Sequence, residues 1–152
     1  MRRAFLVILL AAGLLGCKDP GEAVRREARA QLVDLVAELE AGVPIQTLEA
    51  RLTKLKATAE SAKQSFTADQ YAKLDGVYYW GLGGKSGVEG IPAMLKVQAN
   101  SPTAGLLLAK ALPGLEKMPE NATALLYNQK DVVILANKIH AAAKAALELF
   151  PP

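Results

Sequence analysis

Cysteine and histidine, on which many enzymes and metal sites depend, are nearly absent from this 152-residue chain, which has one of each. Cys17 has no second cysteine with which to form an internal disulfide bridge. His140 is the only imidazole for Ser-His-Asp or Cys-His catalysis, and the CxxCH motif of haem attachment is absent. A di-iron helical bundle requires Glu three residues before a histidine, where Asn137 stands. We therefore expect a protein that is not an enzyme and holds no metal or cofactor.

The apolar run at the start of the chain is too short to span a membrane. Ala4–Leu15 is well below the roughly 20 residues that a helix needs to cross hydrocarbon. The run follows Arg2 and Arg3 and precedes a small residue, Gly16, which is the order of a secretory signal peptide. We expect residues 1–16 to be a cleaved leader and residues 17–152 to form one domain.

The last four residues of this leader region, Leu14-Leu15-Gly16-Cys17, resemble the lipobox of bacterial lipoproteins. The resemblance implies that Cys17 is the first mature residue and carries three acyl chains, of which two already anchor a protein stably. In that family, aspartate at the second mature position retains many members in the inner membrane. Lys18 stands there, so the resemblance implies the outer membrane, facing the periplasm. An ordinary secreted protein whose leader contains a cysteine is the alternative.

The balance of charge gives no indication of nucleic-acid binding. The chain has 18 Lys and Arg against 15 Asp and Glu, and loss of Arg2 and Arg3 with the leader leaves a net charge of +1. The remaining charges alternate in sign, whereas a nucleic-acid interface requires basic residues clustered on one face. We therefore exclude nucleic acid as a partner.

Helix start and stop residues divide the first half of the chain into three helices. Asp19-Pro20 forms an N-cap and first position, and Gly42 ends the helix. The second helix begins at Pro44 and has an apolar residue at every third or fourth position. The residues of this seam are Ile45, Leu48, Leu52, Leu55, Ala59, Ala62 and Phe66. Thr67 and Gln70 have the spacing of a capping box that begins the third helix, with Phe66 packed on Tyr71 as a hydrophobic staple.

The glycine-rich segment 81–90 ends the third helix and invites two functional interpretations. Gly84-Lys85-Ser86 matches the end of a phosphate-binding loop, but Tyr79 stands at its opening glycine and the preceding element is helical. Ser86 falls short of a nucleophile elbow because Val88 occupies a required glycine position. We interpret this segment as a turn.

The second half of the chain adds a short helix from Ile91-Pro92 to about Asn100 and another from Ser101-Pro102 to Leu112, before Pro113-Gly114. A long final helix is predicted over residues 121–150. Its seam is Val132, Ala136, Ile139, Ala143, Ala146 and Phe150. The fold predicted from these patterns is an all-α helical bundle of about four longer helices plus one or two short ones.

Three consecutive aromatic residues, Tyr78, Tyr79 and Trp80, are the best candidates for a binding surface. The side chains of three consecutive helical residues point in different directions around the helix axis, so at least one lies at the surface. In the alternative arrangement, two rings pack inside and the third covers the loop. The primary hypothesis is a lipid-anchored, non-catalytic envelope protein that binds or helps assemble another envelope protein. The alternative is a periplasmic carrier or sensor of an apolar ligand or haem. Its candidate residues are Tyr78, Trp80, Met94, Met118 and His140.

Overall fold

Five α-helices make up most of the computed structural model, which describes residues 19–83, 90–99, 108–111 and 129–152. The helices are α1 (Pro20–Ala41), α2 (Ile45–Ser61), α3 (Ala68–Leu82), α4 (Ile91–Ala99) and α5 (Gln129–Leu147). Two-residue strands, β1 (Val43–Pro44) and β2 (Leu108–Ala109), pair with each other. Of the described residues 82% are helical, and four of the helices are long, which confirms the predicted all-α bundle. The leader, Cys17 and residues 84–89 and 112–128 lie outside the described residues.

The predicted boundaries of α1 are confirmed at both ends. A side-chain oxygen of Asp19 accepts a hydrogen bond of 2.9 Å from the backbone N–H of Gly21, and Pro20 is the first helical residue. At the other end Gly42 has a φ of 98°, which glycine adopts without steric cost, and its N–H donates to the carbonyl of Glu38 at 2.8 Å.

The second helix ends earlier than its seam predicts. Its apolar positions from Ile45 to Ala59 are buried, but the chain leaves the helix at Ala62 and makes a 3₁₀ turn over Lys63–Ser65. The prediction that the helix reaches Phe66 is therefore wrong. The cause lies in the next helix, because an N-cap at Thr67 requires an extended chain before it, and Phe66 has φ −109° and ψ 147°.

The capping box predicted for α3 is present. The backbone N–H of Gln70 donates to Thr67 Oγ1 at 3.1 Å, and the backbone N–H of Thr67 donates to Gln70 Oε1 at 3.1 Å. Phe66 packs edge-on against the ring of Phe150, with 6.0 Å between ring centroids, and the Tyr71 ring lies 4.4 Å from Lys63 Nζ. Phe66 thus joins the start of α3 to the end of the described chain. The staple contact between Phe66 and Tyr71 stays a prediction.

The four long helices form a ring in which α1 contacts α2, α2 contacts α3, α3 contacts α5, and α5 returns to α1. Neighbours run antiparallel. Between α1 and α2, Gln31 is hydrogen-bonded to Thr58 and Glu38 to Arg51, so the residue numbers rise on α1 as they fall on α2. The same holds between α1 and the last part of the chain, where Arg29 is hydrogen-bonded to Phe150 and Glu40 to His140. The starts of α1 and α3 therefore share one end of the bundle with the ends of α2 and α5.

Residues 108–111 do not continue a helix, which corrects the predicted helix over 101–112. Leu108 and Ala109 pair antiparallel with Pro44 and Val43, and the N–H of Ala111 donates to the carbonyl of Leu39 at 2.8 Å. The last carbonyls of a helix have no partner within it, so an extended segment that supplies a donor is stabilised there. Residues 101–107 and 112 lie outside the described residues.

The last helix ends at Leu147, three residues before the predicted boundary, and residues 121–128 of its predicted start lie outside the description. A tight turn follows, in which the N–H of Phe150 donates to the carbonyl of Leu147 at 3.1 Å. Phe150 precedes Pro151, a position that disfavours helical backbone. Its ring is still buried, against Phe66.

Apolar side chains from every described helix meet in one buried cluster between them. No polar or charged residue is fully buried in the described ranges. The largest members are Leu32, Leu35, Leu39, Ile45, Leu48, Leu52, Leu55, Leu74, Ile91 and Ile139. Among the described helices, none combines the length and apolar content that crossing a membrane requires.

Candidate interaction surface

The three consecutive aromatic residues of α3 divide between core and surface. Tyr78 is 4% exposed, whereas Tyr79 and Trp80 are 47% and 43% exposed. The arrangement with two rings inside is therefore wrong, and two of the three lie on the surface. Successive helical residues are about 100° apart, so burying Tyr78 between its neighbouring helices turns the next two outward.

The exposed rings are held in a defined arrangement with a residue of α5. Tyr79 and Trp80 make an edge-on contact with 5.6 Å between ring centroids, and Lys138 Nζ lies 4.5 Å from the centroid of the Trp80 ring. Both contacts have the geometry that attracts a ring edge or a cation to an aromatic face. We call Tyr79, Trp80 and Lys138 the aromatic surface.

Tyr78, in contrast to the two exposed rings, belongs to the buried core. Its hydroxyl oxygen is inaccessible to solvent and makes no hydrogen bond to any residue in the described ranges. Burial, reinforced by the neighbouring Tyr71 and Asp75, raises the pKa of Tyr78 above its ordinary value of 10.0. A side chain buried in this way does not reach a partner at the surface.

The two ends of the glycine-rich segment meet beside α3. Gly83 ends the helix in the left-handed conformation, with φ 85°. Gly90 has φ 119°, and a Cβ atom there would lie 2.6 Å from the backbone nitrogen of Gly83. The element before the segment is a helix, as expected, and not the buried strand of a phosphate-binding loop. Gly84-Lys85-Ser86 itself lies outside the described residues.

His140, the only histidine, is partly buried and contacts a carboxylate. Its Nε2 lies 2.8 Å from Glu40 Oε1, and its side chain is 19% exposed. Within ranges 19–83, 90–99, 108–111 and 129–152, no three His, Cys, Asp or Glu residues are grouped as metal ligands would be. Of the other residues of the ligand-carrier alternative, Met94 is buried and Met118 lies outside the description. That alternative stays a prediction.

A second surface feature, at the end of the bundle where α1 begins, was not identified from the sequence. An open groove of about 630 Å³ is lined by Arg25, Arg26 and Arg29 of α1, together with Gln70 and Phe150. Three arginines within five residues are visible in the sequence, but their spacing fits equally well with a solvated helix face. We call this feature the arginine groove.

The arginines of the groove have different partners. Arg25 forms an ion pair with Asp19 and donates to the backbone carbonyl of Ser65 at 2.7 Å. The bond from Arg25, with that from the Gly21 N–H, lowers the pKa of the Asp19 carboxyl. Arg26 pairs with Glu22 at 2.5 Å. Arg29 Nε donates to the backbone carbonyl of Phe150 at 3.0 Å, and Arg29 pairs with no carboxylate in the described part of the chain.

Comparison with protein-family models, with curated proteins and with solved structures finds no match to this chain.

Proposed function

We propose that this protein is a lipid-anchored, non-catalytic helical protein of the bacterial cell envelope that binds or helps assemble another envelope protein through the aromatic surface. The exposed Tyr79–Trp80 pair, with Lys138 over the tryptophan ring, is the observation on which this proposal mainly rests. Aromatic residues are enriched in interfaces and supply a large share of their binding energy.

The arrangement of the aromatic surface favours a protein partner. Tyr79 and Trp80 project from a helix whose inner side is anchored by Leu74, Val77 and Tyr78, so the rings are carried on a rigid element. Lys138 restricts Trp80 further, and rings that are already ordered lose less conformational entropy when a partner binds. A positive charge beside two rings suits a partner patch that combines apolar and acidic groups.

The leader pattern supplies the location in this proposal. Acyl chains on Cys17, as the lipobox resemblance implies, would hold the protein on the outer membrane, facing the periplasm. Asp19, the N-cap of α1, follows Cys17 by two residues, so the bundle would stay close to the bilayer. Such an anchor raises the local concentration of partners in the same membrane.

Site-specific photo-crosslinking in the bacterium that makes the protein tests the proposal. A photoreactive phenylalanine analogue replaces Tyr79, and in a matched strain it replaces Val33, an exposed apolar residue on α1 that is 42% exposed. We expect one envelope protein to be captured from position 79 and not from position 33. Equal capture from both positions, or none from position 79, would contradict the proposed partner surface.

Purified complexes then allow the aromatic surface to be measured. The double variant Y79A/W80A should weaken binding of the captured protein by at least about 30-fold, the effect expected for an interface hot spot. V33A is the control and should leave affinity unchanged. Both variants should unfold at temperatures close to that of the wild type, because the replaced side chains are exposed. Mass spectrometry of the Cys17 peptide tests acylation separately.

A further inference from the structure

The arginine groove lies at the end of the bundle that the anchor would hold against the membrane. We propose that it binds the phosphate of an anionic phospholipid headgroup, so that this end of the bundle rests on the bilayer surface in one orientation. The inference rests on the lipid anchor of the proposed function, but it assigns a role to residues that the aromatic surface does not include.

The distance between anchor and groove is short. Asp19 follows Cys17 by two residues, which span at most about 7 Å when extended. Arg29 lies nine residues after Pro20, the first residue of α1, or about 14 Å along the helix axis. With the step of about 4 Å from Asp19 to Pro20, all three arginines lie within about 25 Å of the acyl chains, and a tilt of α1 brings them to the headgroup layer.

Arg29 is the residue best prepared for an anion. Its Nε is bonded to the carbonyl of Phe150, which fixes the plane of the guanidinium and leaves both terminal NH₂ groups without a carboxylate in the described residues. Two parallel N–H groups match two phosphate oxygens, and a guanidinium held in place loses little entropy on binding. Arg25 differs, because one of its terminal NH₂ groups donates to the carbonyl of Ser65 and the other to the carboxylate of Asp19.

The groove has one arginine without a carboxylate partner in the described residues, and it has a suitable size. Arg25 pairs with Asp19 and Arg26 with Glu22, which leaves the charge of Arg29 for an anion. A volume of about 630 Å³ lies within the range typical of sites for small ligands. Pro151, which is exposed, adds apolar lining that suits the glycerol portion of a headgroup. Anionic lipid surfaces attract basic clusters held close to them.

The test uses the full acylated protein bound to nanodiscs of anionic phosphatidylglycerol or of zwitterionic phosphatidylcholine. Phenylglyoxal modifies accessible arginines, and peptide mass spectrometry gives the rate at each residue. We expect Arg29 to react at least about five-fold more slowly on anionic discs, the effect of one favourable basic contact with such a surface. Arg51, on α2 and paired with Glu38, is the internal control and should change little. Equal Arg29 rates on the two lipids would overturn the inference.

Further arms separate the possible sources of phosphate. Glycerol phosphate is added to the protein on phosphatidylcholine discs. If it protects Arg29 as strongly as the anionic discs do, the ligand is a soluble phosphate and the lipid assignment is overturned. R26Q should reduce the protection of Arg29 on anionic discs, and the control R51Q should not. Protein that carries no acyl group and fails to attach to either disc overturns this inference and the proposed anchor together. Acylated protein whose Arg29 is unprotected overturns the inference alone.

Discussion

Nε2 of His140 lies 2.8 Å from Oε1 of Glu40, which joins the last turn of α1 to the middle of α5. The imidazole is partly buried, whereas the Glu40 side chain is 57% exposed, so water competes for the carboxylate. The contact therefore has the character of a surface hydrogen bond that fixes the relative position of two helices.

Substitution of this pair should reveal a structural contact of modest strength. We expect H140A and E40A to show a coupling free energy below about 1 kcal/mol in a double-mutant cycle, because the carboxylate is solvated. Denaturant unfolding of the wild type, both single variants and the double variant gives the value. H140A should retain photo-crosslinking from position 79, and its loss in a folded variant would contradict a purely structural role for His140.

Glycine is required at one position of α3 and unfavourable at another. A Cβ atom at Gly81 would overlap Cδ1 of Leu52 and lie 3.3 Å from Cδ1 of Ile139, whereas a Cβ atom at Gly76 would meet nothing within 4 Å. We expect G81A to lower the free energy of unfolding by about 1–3 kcal/mol, because it overpacks a filled core. G76A should raise it by about 0.5–1 kcal/mol through helix propensity. Urea unfolding of both variants checks this contrast, and a stable G81A would contradict it.

Gln70 has two roles that can be separated. Its Oε1 accepts from the Thr67 N–H in the capping box, and its Nε2 donates to the carbonyl of Leu149 at 2.9 Å. Q70M removes both bonds with little change of volume and should cost about 1–3 kcal/mol. T67A removes only the bond from the Gln70 N–H to Thr67 Oγ1 and should lower the free energy of unfolding by about 0.5–2 kcal/mol.

Hydrogen exchange distinguishes the two variants. The amide of Phe150 should exchange faster in Q70M, because the turn after α5 loses a bond to α3. In T67A the exchange rate of the same amide should stay close to that of the wild type. Equal acceleration in both variants would show that Gln70 acts on this turn only through the start of α3.

Tyr78 should make the protein sensitive to alkali. Its pKa is raised in the folded state, so the unfolded chain releases this proton first as the pH rises above 10.0. The folded state then binds more protons, and the free energy of unfolding falls with pH by at most about 1.4 kcal/mol per pH unit. The contribution of the protonated Tyr78 hydroxyl to the free energy of unfolding is complete below pH 10.0, and it is lost as the pH rises toward the folded-state pKa.

The variants Y78F and Y79F provide the comparison. Y78F should flatten the alkaline loss of stability, and Y79F, at the exposed neighbouring position, should not. At neutral pH we expect Y78F to be at least as stable as the wild type, because the buried hydroxyl has no hydrogen-bond partner in the described residues. Denaturant titrations between pH 7 and pH 11 measure both effects, and a marked loss of stability in Y78F at pH 7 would contradict the proposed environment.

The parts of the fold that the sequence predicted well depend on neighbouring residues. The cap at Asp19 and the box of Thr67 and Gln70 are formed within three or four residues, so their spacing was sufficient to locate the starts of α1 and α3. The ends of α2 and α5 were misplaced because they depend on distant contacts. Phe66 and Phe150 leave their helical registers to pack against each other, and no local pattern contains that contact.

The pairing of β1 with β2 was also not predicted from the sequence, because it too depends on a distant contact. Residues 108 and 109 have apolar side chains compatible with a helix. Extended backbone there is favoured by the strand at Val43 and by the carbonyl of Leu39, which accepts from the N–H of Ala111. The aromatic surface was predictable in part, since helical geometry requires that three consecutive rings cannot all be buried. Which rings are exposed depends on how α2 and α5 pack around α3, which the sequence of α3 does not contain.

The contact between Gly83 and Gly90 has a practical consequence for engineering. The backbone leaves α3 and returns to α4 at nearly the same point, with a Cβ position on Gly90 only 2.8 Å from the carbonyl oxygen of Gly81. An epitope tag or reporter placed among residues 84–89 would therefore begin and end at one small opening and need not separate the two helices. Replacing Gly90 would remove that property, because a Cβ atom there would lie 2.6 Å from the backbone nitrogen of Gly83 and push the two ends apart.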